Sequence, residues 1–124
     1  MRRLGYALAF GAAYDAAFAL AILLATKPAA ALLGLSVPAD PVFLYLNGVL
    51  LLLLAGIYAV AARAPARYRA IAPISAMGRG MGFALFVWAW AGGHPATFLG
   101  LGLADLVIGL VTVVLWRRAV ALSD

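Results

Sequence analysis

Four apolar runs, at about residues 4–26, 42–62, 70–90 and 97–116, take up most of this 124-residue chain. A bilayer's hydrocarbon core is about 30 Å thick, and a helix rising about 1.5 Å per residue crosses it in about 20 residues. Each run is long enough. In lipid every backbone polar group must be satisfied within the segment, which leaves the helix as the form such runs can take. The expected fold is therefore an all-α membrane protein: one domain over 1–124, with four transmembrane helices. Short links make an antiparallel up-down bundle the simplest packing.

Composition agrees. Apolar residues make up 68% of the chain and charged residues 10%, against about 25% charged in soluble domains. Glutamate is absent, so Asp15, Asp40, Asp105 and Asp124 are the whole acidic inventory. With no cysteine there is no disulfide, thiolate metal site or cysteine nucleophile, and a single histidine, His94, cannot ligate a haem from two sides. Met1-Arg2-Arg3 before an apolar run resembles a secretory leader. The run is too long for one, however, and carries Tyr14 and Asp15 in its middle, so the expectation is a retained span.

The first span has small residues at every fourth position: Gly5, Ala9, Ala13, Ala17, Ala21 and Ala25. Such a row is expected to let a neighbouring helix approach closely. Lys27-Pro28 is expected to end it. The stretch from Ala29 to Leu35 is too short to span and is expected to lie along the membrane surface. Pro38 and Pro41 mark a loop, with Asp40 capping the second span. On that span Asn47 and Tyr58 share a face, and Gly48 and Gly56 are expected points of close approach. In the third span Pro73 falls in the first turn, and Ser75, Arg79, Gly82 and Phe86 form one stripe. Gly78 and Gly82 make a GxxxG pair. On the fourth, Gly102, Asp105, Gly109 and Thr112 share a face. Trp116 is expected to mark its end, before Arg117-Arg118 and a short polar tail.

With four spans both termini lie on one side. That side carries Arg2, Arg3, Arg63, Arg67, Arg69, Arg117 and Arg118, and the other carries Lys27. The positive-inside rule then makes the termini and the middle loop cytoplasmic. The same asymmetry accounts for the net charge of +5, so the lipid bilayer, rather than nucleic acid, is the expected partner.

Arg79 falls in the middle of the third run. A charge at that depth costs about 2.5–3.5 kcal/mol on insertion scales, so something must pair with it. From the cytoplasmic end, Asp15 lies about 16 Å up its helix, Asp105 about 16 Å and Arg79 about 13 Å; Asn47 lies higher, at about 22 Å. A guanidinium can hold one carboxylate bidentately and donate to a second. Two ionised aspartates against one arginine leave a net negative charge. One is therefore expected to hold a proton, or to share with Asn47, Tyr14 or water. The candidate ligand or proton site is Arg79, Asp15, Asp105, Asn47, Tyr14 and Ser75; no catalytic residue and no metal ligand is assigned. The plainer reading is a buried clamp that fixes helix register.

Other signals carry less. Gly78-Arg79-Gly80-Met81-Gly82 follows no strand and opens no helix, so it is not read as a phosphate loop. His94, before Pro95, reads as a solvated turn histidine. Tyr45, Trp88 and Trp90 read as interface anchors, the alternative being an outer-leaflet pocket beside Asn47.

The layout resembles the DoxX-like small bacterial four-span proteins, most of them of unknown function. The matching stretches are Pro38-x-Asp40-Pro41, Leu44-Tyr45-Leu46-Asn47-Gly48, Arg67-Tyr68-Arg69, Gly78-Arg79-x-x-Gly82 and Ala104-Asp105-Leu106. The resemblance implies a four-helix inner-membrane protein, and some members are associated with quinone-linked oxidoreductases as membrane subunits. The leading expectation is thus an accessory or anchoring membrane protein whose central polar layer receives a lipophilic ligand such as a quinone or a lipid. The alternatives are a proton-coupled small-molecule carrier and a purely structural subunit. A membrane-complex partner or a homo-oligomer is expected.

Overall fold

A computed structural model describes residues 1–123; Asp124, the last of the four acidic residues, lies outside the described residues. The chain is all-helical, with α1 over Arg2–Leu24, α2 over Thr26–Leu33, α3 over Val42–Arg63, α4 over Ile71–Ala91 and α5 over Thr97–Ser123. Four of these, all but α2, are long and apolar enough to cross a membrane. The expected runs are therefore all present as helices, and the protein has the make-up of a multi-pass membrane protein.

Several boundaries differ from expectation, and the larger differences have local reasons. α1 stops at Leu24, two residues early, and Ala25 leaves helical geometry at φ −135°, ψ 45°. A proline ring clashes with the carbonyl four residues before it. For Pro28 that carbonyl belongs to Leu24, so the break is felt upstream of the proline. Pro28 itself then sits in the first turn of α2, where its missing N–H costs little. The surface segment expected at 29–35 is thus a helix that starts at Thr26 and ends at Gly34, whose φ of 72° needs a residue without a Cβ. The N–H of Leu35 returns to the Ala30 carbonyl at 2.8 Å and closes that end. At the start of α3 it is Pro41 that takes the cap position, and Asp40 acts from one residue further out by accepting the Val42 N–H at 3.2 Å. α5 does not stop at Trp116. It runs on through Arg117 and Arg118, and the stretch that follows holds no Gly or Pro to break it.

α1 packs chiefly on α3, and α4 chiefly on α5; a smaller α1–α5 contact joins the two pairs, while α3 and α4 touch little. The buried cluster Leu4, Leu8, Ala61, Ala72 and Ala119 lies where the start of α1, the end of α3, the start of α4 and the end of α5 meet. That end is closed. At the other end of the α1–α3 pair, Gly48 carries the close approach: a Cβ there would come within 2.9 Å of Leu23 Cγ. Gly56 and Gly78, expected to serve likewise, have open space around them.

The row of small residues on α1 is not the packing face. The buried positions are Leu4, Gly5, Leu8, Gly11, Ala12, Asp15 and Ala19, while Ala9, Ala13 and Ala17 are exposed. A four-residue repeat turns about 40° per step against the helix period and cannot hold one face for five steps. The buried set mixes steps of four and three, which can.

Candidate functional site

Three helices bring charge to one point. Arg79 of α4 is 7% exposed and Asp15 of α1 is 4% exposed, so both are fully internal. The Arg79 Nη1 donates to Asp15 Oδ1 at 2.8 Å and to Asp105 Oδ1, from α5, at 3.0 Å. Nη2 donates to the Gly11 carbonyl at 3.1 Å. The guanidinium carbon lies 5.5 Å from the ring centre of Tyr14 and 5.9 Å from that of Tyr58, which α3 supplies. Both are within cation–π range. All four long helices therefore meet at this one side chain.

The backbone makes room for it. A Cβ at Gly82 would come within 2.8 Å of Asp105 Oδ2, and a Cβ at Gly109 within 3.0 Å of Arg79 Cβ. Gly109 meets the stem of Arg79 and the Ala76 carbonyl and so limits how near α4 and α5 come, while Gly82 leaves space for the tip of the Asp105 side chain. Gly11 does the same on α1, where a Cβ would stand 3.0 Å from Arg79 Nη2.

The expected cluster is thus largely assembled. Arg79, Asp15, Asp105 and Tyr14 come together, and Ser75 is buried one turn along α4, on Arg79's side of that helix. Asn47 does not join Arg79. It is exposed on α3, three turns beyond Tyr58, and the hydrogen bonds of Arg79 go to Asp15, Asp105 and Gly11 instead. Arg79 donates to both carboxylates, but without the bidentate fork a guanidinium is able to make. The two carboxylates come from different helices and each offers one oxygen to the same Nη1, which leaves Nη2 for a backbone carbonyl and Nε without a hydrogen-bond partner among the described residues. The Gly11 carbonyl and the Tyr58 ring join the cluster without having been expected there. Tyr58 carried a signal, since it shares a face with Asn47; Gly11 carried only its position one turn before Asp15.

Arg79, Asp15 and Asp105 form the floor of a cavity of about 620 Å³. Its walls are apolar and aromatic, among them Phe18, Leu51, Leu54, Phe86 and Phe98, and Asn47 lines it further out. Phe86 and Phe98 stack at 5.7 Å, which joins α4 to α5 along one wall. α2 contributes Ala29, Ala30 and Leu33 to the far end, and the Thr97 hydroxyl donates to the Leu33 carbonyl at 2.9 Å, tying α2 to the start of α5. His94 is an exposed turn residue whose Nδ1 lies 3.0 Å from the Ala89 carbonyl; it also borders the cavity and meets the edge of Phe98. Tyr45, Trp88 and Trp90 take no part in the lining and are exposed, as interface anchors are. The hydroxyls of Tyr14 and Tyr58 have no hydrogen-bond partner among the described residues.

These features define a class: a small protein of four membrane-length helices gathered around an internal arginine–carboxylate cluster. No family model, no curated protein and no solved structure matches the chain.

Proposed function

We propose that this is a small multi-pass protein of the bacterial inner membrane, an accessory or anchoring component that binds a lipophilic ligand in the cavity above Arg79. The observation that carries the reading is the union of a charged, hydrogen-bonding floor with apolar aromatic walls in one cavity of about 620 Å³. Binding cavities for small molecules combine those two parts: the walls take the body of the ligand and a few polar groups fix its head. A quinone is one such molecule, with ring oxygens that accept from tyrosine hydroxyls. The resemblance to DoxX-like proteins, some linked to quinone enzymes, points the same way.

The arrangement we propose is an antiparallel up-down bundle with cytoplasmic termini. Gly5 lies against Ala62 and Gly48 against Leu23, so the start of α1 meets the end of α3. Gly102 lies against Phe86 and Gly109 against Arg79, which gives the same reversal for α4 and α5. The arginines flanking the closed cluster all fall at one end, in the positive-inside sense. The cavity then opens toward the opposite leaflet.

The test is binding in nanodiscs. A short-tailed ubiquinone analogue is expected to bind saturably, and Leu51→Trp, which fills the cavity from its wall, to weaken that binding by about tenfold or more. Absence of saturable binding by this or any lipophile, set against nanodiscs without protein, overturns the reading.

A further inference from the structure

The charge balance at the cavity floor goes further and selects a ligand class. The geometry points to a lipophile with a positively charged head, an aryl- or alkylamine in its protonated form, seated against Asp105 among the cavity aromatics. This rests on the ligand-binding reading above.

Four observations carry it. The floor holds two carboxylates against one guanidinium, so neutrality calls for one more positive charge, which a proton or a cationic ligand supplies. Arg79 uses a single nitrogen for both acids and engages only their Oδ1 atoms; neither Oδ2 receives a hydrogen bond from it. The Asp105 side chain keeps 14% of its surface open against 6% for Asp15, and it lines the cavity. Aromatic rings surround the same space, with Tyr14 and Phe18 at 5.0 Å from each other on α1 and the Phe86–Phe98 stack opposite. Aromatic faces attract cations and stay indifferent to neutral heads, and a desolvated ammonium–carboxylate contact is among the stronger hydrogen bonds available. An acidic head would meet an excess of negative charge on the floor.

Matched probes separate the claim from its foundation. Naphthylmethylamine, naphthylmethanol and naphthoate share one apolar body and differ in head charge. In nanodiscs, with protein-free discs subtracted, the amine is expected to bind about tenfold more tightly than the alcohol, with naphthoate the weakest. In Asp105→Asn the amine-to-alcohol ratio is expected to fall toward one. If the alcohol or the quinone analogue binds as tightly as the amine, the preference for cations is overturned while the cavity still binds lipophiles. If none of the probes binds saturably, both fall. The comparison of heads is made on the unaltered protein, so a variant that fails to fold leaves it decided. Should Asp105→Asn misfold, Asp105→Glu, which keeps the charge, is expected to keep the ratio, and a ratio of one in that variant counts against the assignment.

Discussion

At the residue scale the molecule turns on Arg79. Its guanidinium contacts groups from α1 and α5 and faces rings from α1 and α3, so its removal affects every long helix at once. Arg79→Met leaves Asp15 and Asp105 buried together without a counter-charge. Removing one partner from a buried ion pair costs about 3–5 kcal/mol, and a loss of that size is expected in denaturation of the detergent-solubilised protein. Replacing all three residues together with apolar ones is expected to recover much of it, because the uncompensated charge is gone. If Arg79→Met unfolds with wild-type stability, the cluster is not what holds the helices. Most of this cluster was legible beforehand. Counting residues from the membrane surface placed Arg79, Asp15 and Asp105 in one layer, and the cost of an unpaired charge in lipid demanded that they meet. The pattern of bonds was not legible. Whether a guanidinium forks onto one acid or bridges two depends on where the neighbouring helix axes run, and depth along a helix says nothing of that.

At the element scale, glycines decide how near α4 and α5 come, and they are not interchangeable. A methyl group at Gly82 would stand 2.8 Å from Asp105 Oδ2 and one at Gly109 3.0 Å from Arg79 Cβ, whereas Gly80 faces open space. Gly82→Leu is expected to push Asp105 aside and lower stability by about 1–3 kcal/mol, the usual cost of overpacking. Gly80→Ala is expected to be neutral or to raise stability by up to about 1 kcal/mol through helix propensity. Equal effects of the two substitutions, measured by the same unfolding assay, would falsify this division. The GxxxG pattern at Gly78 and Gly82 thus mixes one contact residue with one that meets nothing. The small-residue row of α1 misleads for a related reason: sequence spacing alone does not say which side of a helix another helix will occupy. Local chemistry was more informative at helix ends, where Pro28 and Gly34 set the limits of α1 and α2 through sterics that involve only a few neighbouring residues.

At the scale of the whole molecule the two ends differ. One is sealed by Leu4, Leu8, Ala61, Ala72 and Ala119; toward the other, the small contact between α3 and α4 leaves the cavity, with α2 across its far end. The proposed orientation places the sealed end at the cytoplasm. Because the chain has no cysteine, single replacements report sidedness cleanly. In intact cells Ala96→Cys, in the α4–α5 turn, is expected to react with a membrane-impermeant maleimide, and Ala66→Cys, in the α3–α4 turn, only after lysis; the reverse pattern would invert the topology. The number of membrane-length helices and the common depth of the buried charges are readable from residues alone, since they depend on run length and on the cost of placing polar groups in lipid; so is the one-sided distribution of arginine. Tertiary structure alone decided that α3 and α4 stand apart, that Tyr58 rather than Asn47 reaches Arg79, and that a cavity exists at all. The physical reason is that a lipid-facing helix is apolar all round. Its sequence therefore does not mark the side that meets protein, and only packing contacts among the four helices select it.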